Sequence, residues 1–204
     1  MAYFPMFIEL KNRPCLVVGG GQVAFRKVKA LKDFGADVCV VAPEILSNIL
    51  EIEDVVCLER GFEQTDVEHQ TLVIAATDDT DLNRRISEIC RTKQIPVNAV
   101  DQIEDCSFIF PAYVKEGEVV AAFSSGGQSP VTAQYLKQQI RPVLTPHLGD
   151  IAACLGNLRD MMQQCTQTEA QRKQIYRELL QLGLKQKSVP SEEEIAYVIC
   201  QYQN

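Results

Sequence analysis

Cys15-Leu16-Val17-Val18-Gly19-Gly20-Gly21-Gln22-Val23-Ala24 leads straight into a helical pattern from Phe25 to Phe34, closed by Gly35. The four apolar residues read as a strand buried on both faces. Three glycines then allow a turn that side chains would obstruct, and a periodic apolar face begins. Gly19, Gly21 and Ala24 fill the small positions of G-x-G-x-x-G/A: one for the turn, one for backbone approach to a pyrophosphate, one for close helix packing. The helix N-terminus offers unpaired N–H groups and a positive dipole end to an anion. Gly35 is the expected helix C-cap, and Asp37-Val38-Cys39-Val40-Val41 reads as a second strand, giving a βαβ unit of the expected length. A lone G-x-G-x-x-A also occurs as a plain structural turn; the βαβ context favours a dinucleotide.

The second strand continues Val41-Ala42-Pro43-Glu44. Glu44 lies slightly late for a ribose 2′-OH, and no Arg or Lys is near for a 2′-phosphate, which favours NAD over NADP. Downstream, residues 45 to 52 read as a short helix and Val55 to Leu58 as a strand. Leu72 to Ala76 is apolar enough for burial on both faces, and Thr77-Asp78-Asp79 suits a cap before a helix carrying Leu82, Ile86, Ile89 and Cys90. Val97 to Asp101 and Phe108 to Phe110 read as strands five and six. Residues 3 to 12 are expected to form an extended arm packed on the sheet. Alternating strands and helices predict an α/β fold, a Rossmann-type doubly wound parallel sheet whose ligands collect at the carboxyl edge. The polar strand ends at Gly19 to Val23, Pro43, Glu44, Thr77 to Asp79 and Asn98 to Asp101 should therefore converge.

Beyond Pro111 the pattern changes. Residues 118 to 124 read as a strand and 124 to 130 as a polar loop, with Ser129 and Pro130 opening a helix to about Ile140. Helices follow over 151–165, over 168–182 with a capping box from Thr168 and Gln171, and from Ser191, boxed by Glu194. The linker carrying Gly183, Lys185, Lys187 and Pro190 is expected to be solvated. The expected division is 1–113 for the NAD-binding domain, 114–147 for a dimerisation and substrate-loop segment, and 148–204 for a helical domain.

The 204 residues are 46% hydrophobic, enough for one good core and a smaller second unit. No apolar run reaches membrane-spanning length and no signal peptide is legible, so a cytoplasmic location is expected. The eight cysteines lie singly, without a C-x-x-C pair, as reduced core residues would. Neither they nor His69 and His147 show metal-ligand spacing, so no protein metal site is expected. A net charge of −7 argues against nucleic acid and anionic membranes as partners.

Asp101 ends a buried strand beside the cofactor crevice, where a base could take a proton from a substrate losing hydride; a loop-capping aspartate is the equal alternative. Asp78 and Asp79 read as helix caps, and Thr77 and Asn98 as polar groups on the crevice. Asn98 can pair with backbone or with a carboxamide. The loop Ser124, Ser125, Gly126, Gly127 to Ser129 precedes a helix N-terminus and could hold a substrate carboxylate, with Lys137 and Arg141 further along; a plain connection competes with this reading.

Several stretches together resemble a known family: Phe4-Pro5-Met6-Phe7, the glycine turn through Arg26-Lys27, Ala75-Ala76-Thr77-Asp78-Asp79, Val97-Asn98-Ala99-Val100-Asp101, Ser107-Phe108-Ile109, Ser124-Ser125-Gly126-Gly127 with Ser129-Pro130, and Pro146-His147-Leu148-Gly149. They are similar, in order, to the precorrin-2 dehydrogenase/sirohydrochlorin ferrochelatase module of siroheme synthases. The resemblance implies a cytoplasmic homodimer that oxidises precorrin-2 to sirohydrochlorin with NAD, either stopping there or also inserting Fe²⁺. It puts the catalytic aspartate on Asp101, dinucleotide contacts on Gln22, Val23, Pro43 and Glu44, and a serine phosphorylated in some members on Ser125. Cations for the substrate's carboxylates are sought among Arg26, Lys27, Lys29, Lys137 and Arg141. A rival of another class is a non-catalytic NAD-sensing domain, which leaves the loop at Ser124 to Pro130 unexplained.

Overall fold

The apolar runs form one parallel sheet. In the computed structural model, which describes residues 3–202, β1 spans Pro14–Val18, β2 Asp37–Ala42, β3 Val55–Glu59, β4 Leu72–Ala75 and β5 Val97–Ala99. Their order across the sheet is β3-β2-β1-β4-β5. Cys15, Val17, Val40 and Ile74 face one apolar cluster, and Leu16, Val18, Val41 and Val73 face the other. Two covered faces account for the unbroken hydrophobicity of β1 and β4. Helices α1 (Gln22–Asp33) and α2 (Ser47–Leu50) bury Val28, Leu31 and Ile49 on the first face; α3 (Thr80–Thr92) buries Ile86 and Cys90 on the second. This is the Rossmann-type fold expected, with a shorter α2.

Turn and cap chemistry behaves as read. Gly35, with φ +71°, carries the chain out of α1 as its N–H donates to the Lys32 carbonyl. The Asp79 carboxylate accepts the N–H groups of Asp81 and Leu82, each at 3.0 Å, and starts α3.

Four expectations fail locally. Phe108 to Phe110 forms no sixth strand. Side chains take over the bonds a ladder would make there: Ser107 Oγ accepts the Val97 N–H at 2.8 Å, and the Asn98 amide donates to the Phe108 carbonyl at 3.1 Å. The fifth strand stops at Ala99, because Asp101 turns left-handed at φ +62°. The N-terminal arm does not pack: Phe4 is 87%, Met6 73% and Phe7 71% exposed, and only Leu10 joins the core. The sheet face it would cover is already filled by α1 and α2. Gly183 lies inside a helix rather than a linker, where a Cβ would meet Ile151 Cδ1 at 2.9 Å.

The chain divides into two compact units, the second beginning at Pro111. In it, β6 (Ala112–Glu116) and β7 (Val119–Phe123) form an antiparallel hairpin turned at Gly117, φ +57°. Only the second of these strands was expected. The helices are α4 (Pro130–Ile140), α5 (Pro146–Asn157), α6 (Arg159–Cys165), α7 (Glu169–Gln186) and α8 (Glu192–Gln201). Ser129 caps α4 and the Ser191–Glu194 capping box opens α8, as expected. At α7 the Thr168 hydroxyl accepts the Gln171 N–H, while the Gln171 side chain accepts from Gln167 rather than closing the box on Thr168. Met162, Ile175, Leu179, Ile195, Val198 and Ile199 make a core shared by α6, α7 and α8.

None of the cysteines is in a disulfide, and burial pushes the Cys15 and Cys90 thiols up to about 11, so neither is a thiolate near neutral pH. Among the described residues no helix is long and apolar enough to cross a membrane.

Candidate active site

The strand order reverses between β1 and β4, and ligands of such sheets bind outside the carboxyl ends at that point. The glycine turn leaves β1 there. Gly19 has φ +122°, its N–H donates to the Val41 carbonyl at 2.9 Å, and a Cβ on it would lie 2.2 Å from the Ala76 carbonyl oxygen. A Cβ on Gly20 would lie 2.0 Å from the Glu44 carbonyl oxygen, and the Gly20 carbonyl accepts the Leu46 N–H at 3.0 Å. The sequence reading placed Gly20 in the turn without giving it one of the motif's small positions; it lets the loop after β2 close on the turn. Gly21 differs, since a Cβ there would meet nothing within 4 Å.

Gly21 is the N-cap of α1. No side chain caps this helix and no acidic residue occupies its first turn. The first-turn N–H groups, beginning with Gln22 and Val23, are thus left for an anion beside the open space at Gly21. These features fit a dinucleotide pyrophosphate. Pro43 and Glu44, both exposed, follow β2 at the same edge.

Thr77 follows β4, and its N–H and hydroxyl are held by the Asn83 side-chain oxygen at 3.2 and 2.8 Å. Asn83, 1% exposed, is a polar residue on the buried side of α3 that the sequence reading missed; its place four residues after the Asp79 cap was the available signal. Asn98 takes the backbone alternative left open for it, bonded to Phe108. Asp101 is exposed in its left-handed turn, a conformation that Asp and Asn tolerate better than other side-chain-bearing residues. Gln102 beside it donates to the Thr80 carbonyl at 3.3 Å, tying this loop to the start of α3.

Lys27, one to two turns along α1, holds its Nζ 3.9 Å from the centroid of the Phe110 ring. Burial, then the neighbouring Arg26 charge, lowers the ammonium from its ordinary value to about 8, against the opposing pull of Cys106 and Asp101.

The remaining expected residues belong to the second unit. The Ser125 hydroxyl donates to the Ser129 carbonyl at 2.9 Å and accepts the Ser129 N–H at 2.8 Å, and Ser124 Oγ accepts the Gly126 N–H at 3.0 Å. Gly126 and Gly127 both have positive φ, which shapes a tight polar loop ahead of α4. Lys137 Nζ lies 5.6 Å from the Tyr113 ring centroid, and Arg141 is exposed at the end of α4. Among the described residues no group of three or more His, Cys, Asp or Glu could hold a metal ion.

Residues 6–112 match the family model described as "Putative NAD(P)-binding". The chain belongs to this NAD(P)-binding family. It is also 46% identical over 162 residues to siroheme synthase of Thioalkalivibrio sulfidiphilus, covering 78% of this chain and 33% of that protein. With siroheme synthase of Ectopseudomonas mendocina the identity is 42% over 183 residues, or 89% of this chain and 39% of the relative. The chain thus spans between a third and two fifths of the length of these two relatives. The likeness to the siroheme synthase module read from the sequence is borne out. The fold matches that of SirC, a precorrin-2 dehydrogenase, with a TM-score of 0.71 at 22% identity over 98% of this chain and 99% of the other.

For an NAD(P)-binding protein the open space at Gly21 has a direct test. Gly21→Asn puts a preferred N-cap residue at the start of α1, so the thermal midpoint holds or rises. Its side chain fills the space a pyrophosphate would use, and calorimetric titration should find NAD affinity reduced about tenfold or more. Unchanged affinity would move the dinucleotide off this turn.

Proposed function

We propose that this chain oxidises precorrin-2 to sirohydrochlorin, with NAD as the acceptor. The observation that carries the reading is one sheet edge holding both an open, uncapped glycine turn and the Asp101 carboxylate, in a chain similar to siroheme synthases. Gly19, Gly21, Gln22 and Val23 bind the pyrophosphate, and Pro43 and Glu44 take the adenosine ribose; with no Arg or Lys in that loop, NAD is favoured over NADP. NAD, when bound, supplies the hydride acceptor. Oxidation removes one hydride and one proton from the macrocycle, and Asp101 takes the proton. Thr77 shapes the crevice wall through its bonds to Asn83.

The Ser124 to Gly127 loop, Lys137 and Arg141 are the groups of the second unit assigned to the substrate's carboxylates. A second activity, Fe²⁺ insertion, needs two pyrrole N–H protons removed, and Asp101 can receive them; here Fe²⁺ is substrate, not a resident metal. A cytoplasmic homodimer joined through 114–147 completes the reading. The exposed apolar side chains Val131, Tyr135, Leu136 and Val143 support that assembly.

The deciding experiment incubates the purified protein with NAD and precorrin-2. NADH and the sirohydrochlorin spectrum should appear together, and metal uptake after adding Fe²⁺ to sirohydrochlorin reports the second activity. A protein that binds NAD but ignores the tetrapyrrole would instead be a sensor.

A further inference from the structure

We propose that Arg84 on α3 and the buried Asp105 are positioning residues for this dehydrogenation: their ion pair clamps shut the loop that presents Asp101. The inference rests on the dehydrogenase reading above and adds two residues to it. Asp101 is exposed in a left-handed turn, so its place is set by what holds the chain on either side rather than by burial. Before it, the Val100 N–H donates to the Ala75 carbonyl at 2.9 Å and ties the chain to the end of β4. After it, the hold passes to α3.

Arg84, Ser87 and Arg91 follow the i, i+3, i+7 spacing of one helix face, and all three reach the segment after Asp101, which winds into a 3-10 turn at Ile103–Asp105. Arg91 donates to the Glu104 carbonyl and the Ser87 hydroxyl to the Asp105 carbonyl. One turn earlier, the Gln102 side chain donates to the Thr80 carbonyl at 3.3 Å. These contacts trace the path of the segment along α3. The charge contact decides whether the segment stays there. Asp105 is 7% exposed, and its Oδ2 is buried without accepting a hydrogen bond. A carboxylate in that setting is costly unless a cation answers it. Arg84 Nε lies 3.7 Å from this oxygen and also faces the exposed Asp81 at 3.4 Å, so the guanidinium bridges the first turn of α3 to the loop. With Arg84 gone, the segment must lift to hydrate Asp105, and Asp101 moves with it. Displacement of a positioned base lowers the chemical step without touching the glycine turn.

The test pairs NADH formation from NAD and precorrin-2 with amide hydrogen exchange read by mass spectrometry. Arg84 is exposed, so Arg84→Met leaves the core contacts of Ile86 and Cys90 in place. It should lower kcat about tenfold and leave KM for NAD within about twofold. Exchange across residues 100–106 should quicken about tenfold, with α1 unchanged. Arg84→Lys, whose ammonium can meet the same single oxygen, should recover most of both. The deciding variant is Arg84→Met with Asp105→Asn: no charge is left to hydrate, so kcat and exchange should return to within about threefold of wild type, a non-additive result. A double variant no better than Arg84→Met would overturn the proposal, as would faster exchange with kcat unchanged, or a loss of kcat matched by a rise in KM for NAD. Unchanged exchange in Arg84→Met would overturn the clamp whatever the enzyme turns over. Absence of NADH from wild type, with the exchange pattern as expected, would overturn the dehydrogenase reading and leave the clamp standing.

Discussion

Asp101→Asn is expected to cut NADH formation from precorrin-2 by about 10²–10⁴-fold, the range for loss of a positioned general base. NAD binding, measured by titration, should stay within about twofold, since the glycine turn and α1 do not involve this residue. Asparagine is the informative replacement. Asp101 holds φ at +62°, and Asn accepts the left-handed region nearly as well as Asp, so the backbone of the turn survives. The amide matches the carboxylate in shape and cannot take up a proton at neutral pH. Alanine would mix loss of the base with the strain of a positive φ on an ordinary residue, and its effect could be read either way. Full activity in Asp101→Asn would remove the residue from catalysis and leave it the loop-capping role that the sequence permits equally.

How far the sequence carried depends on the distance over which each feature is determined. The βαβ unit at 15 to 41 was legible because a doubly buried strand, a glycine turn and a left-handed exit at Gly35 are each local, and each points the same way. The caps at Asp79, Ser129 and Ser191 were legible for the same reason: a cap reaches only two or three residues ahead. Phe108 to Phe110 was misread because its strand character had to be settled elsewhere, by Asn98 and Ser107, whose side chains occupy the bonds of a ladder. The arm was misread through the same kind of gap. Nothing in Phe4 to Ile8 says that α1 and α2 have already covered the face it would join. Of the site, Gly19, Gly21 and Asp101 were found as motif and strand end. Gly20 was read as part of the turn and Lys27 as a candidate cation for substrate carboxylates, but the close approach of the Glu44 carbonyl to the one and the Phe110 ring beneath the other were not legible, because each comes from a distant loop.

Gly19→Ala should unfold the first unit more easily by about 3 kcal/mol or more, combining a positive φ on a residue with a side chain and an overlap with neighbouring backbone. The φ of +122° lies in a region that side-chain-bearing residues rarely adopt, and the added carbon would stand 2.2 Å from the Ala76 carbonyl oxygen and 2.6 Å from its carbon. Neither obstacle is a flexible side-chain end. Relief requires the loop after β4 to move away, yet Ala76 N–H is bonded to the Val18 carbonyl at 2.7 Å, so the ladder between β1 and β4 would have to open with it. The same triplet therefore divides its labour: Gly19 and Gly20 allow neighbouring backbone to close on the turn, while Gly21 leaves room for something absent from the chain itself. Urea unfolding followed by circular dichroism should accordingly show a large loss for Gly19→Ala and none of comparable size for Gly21→Asn. Equal stability of Gly19→Ala and wild type would mean that the turn relaxes freely, and the close approach of the β1 and β4 loops would no longer explain why the chain needs glycine there.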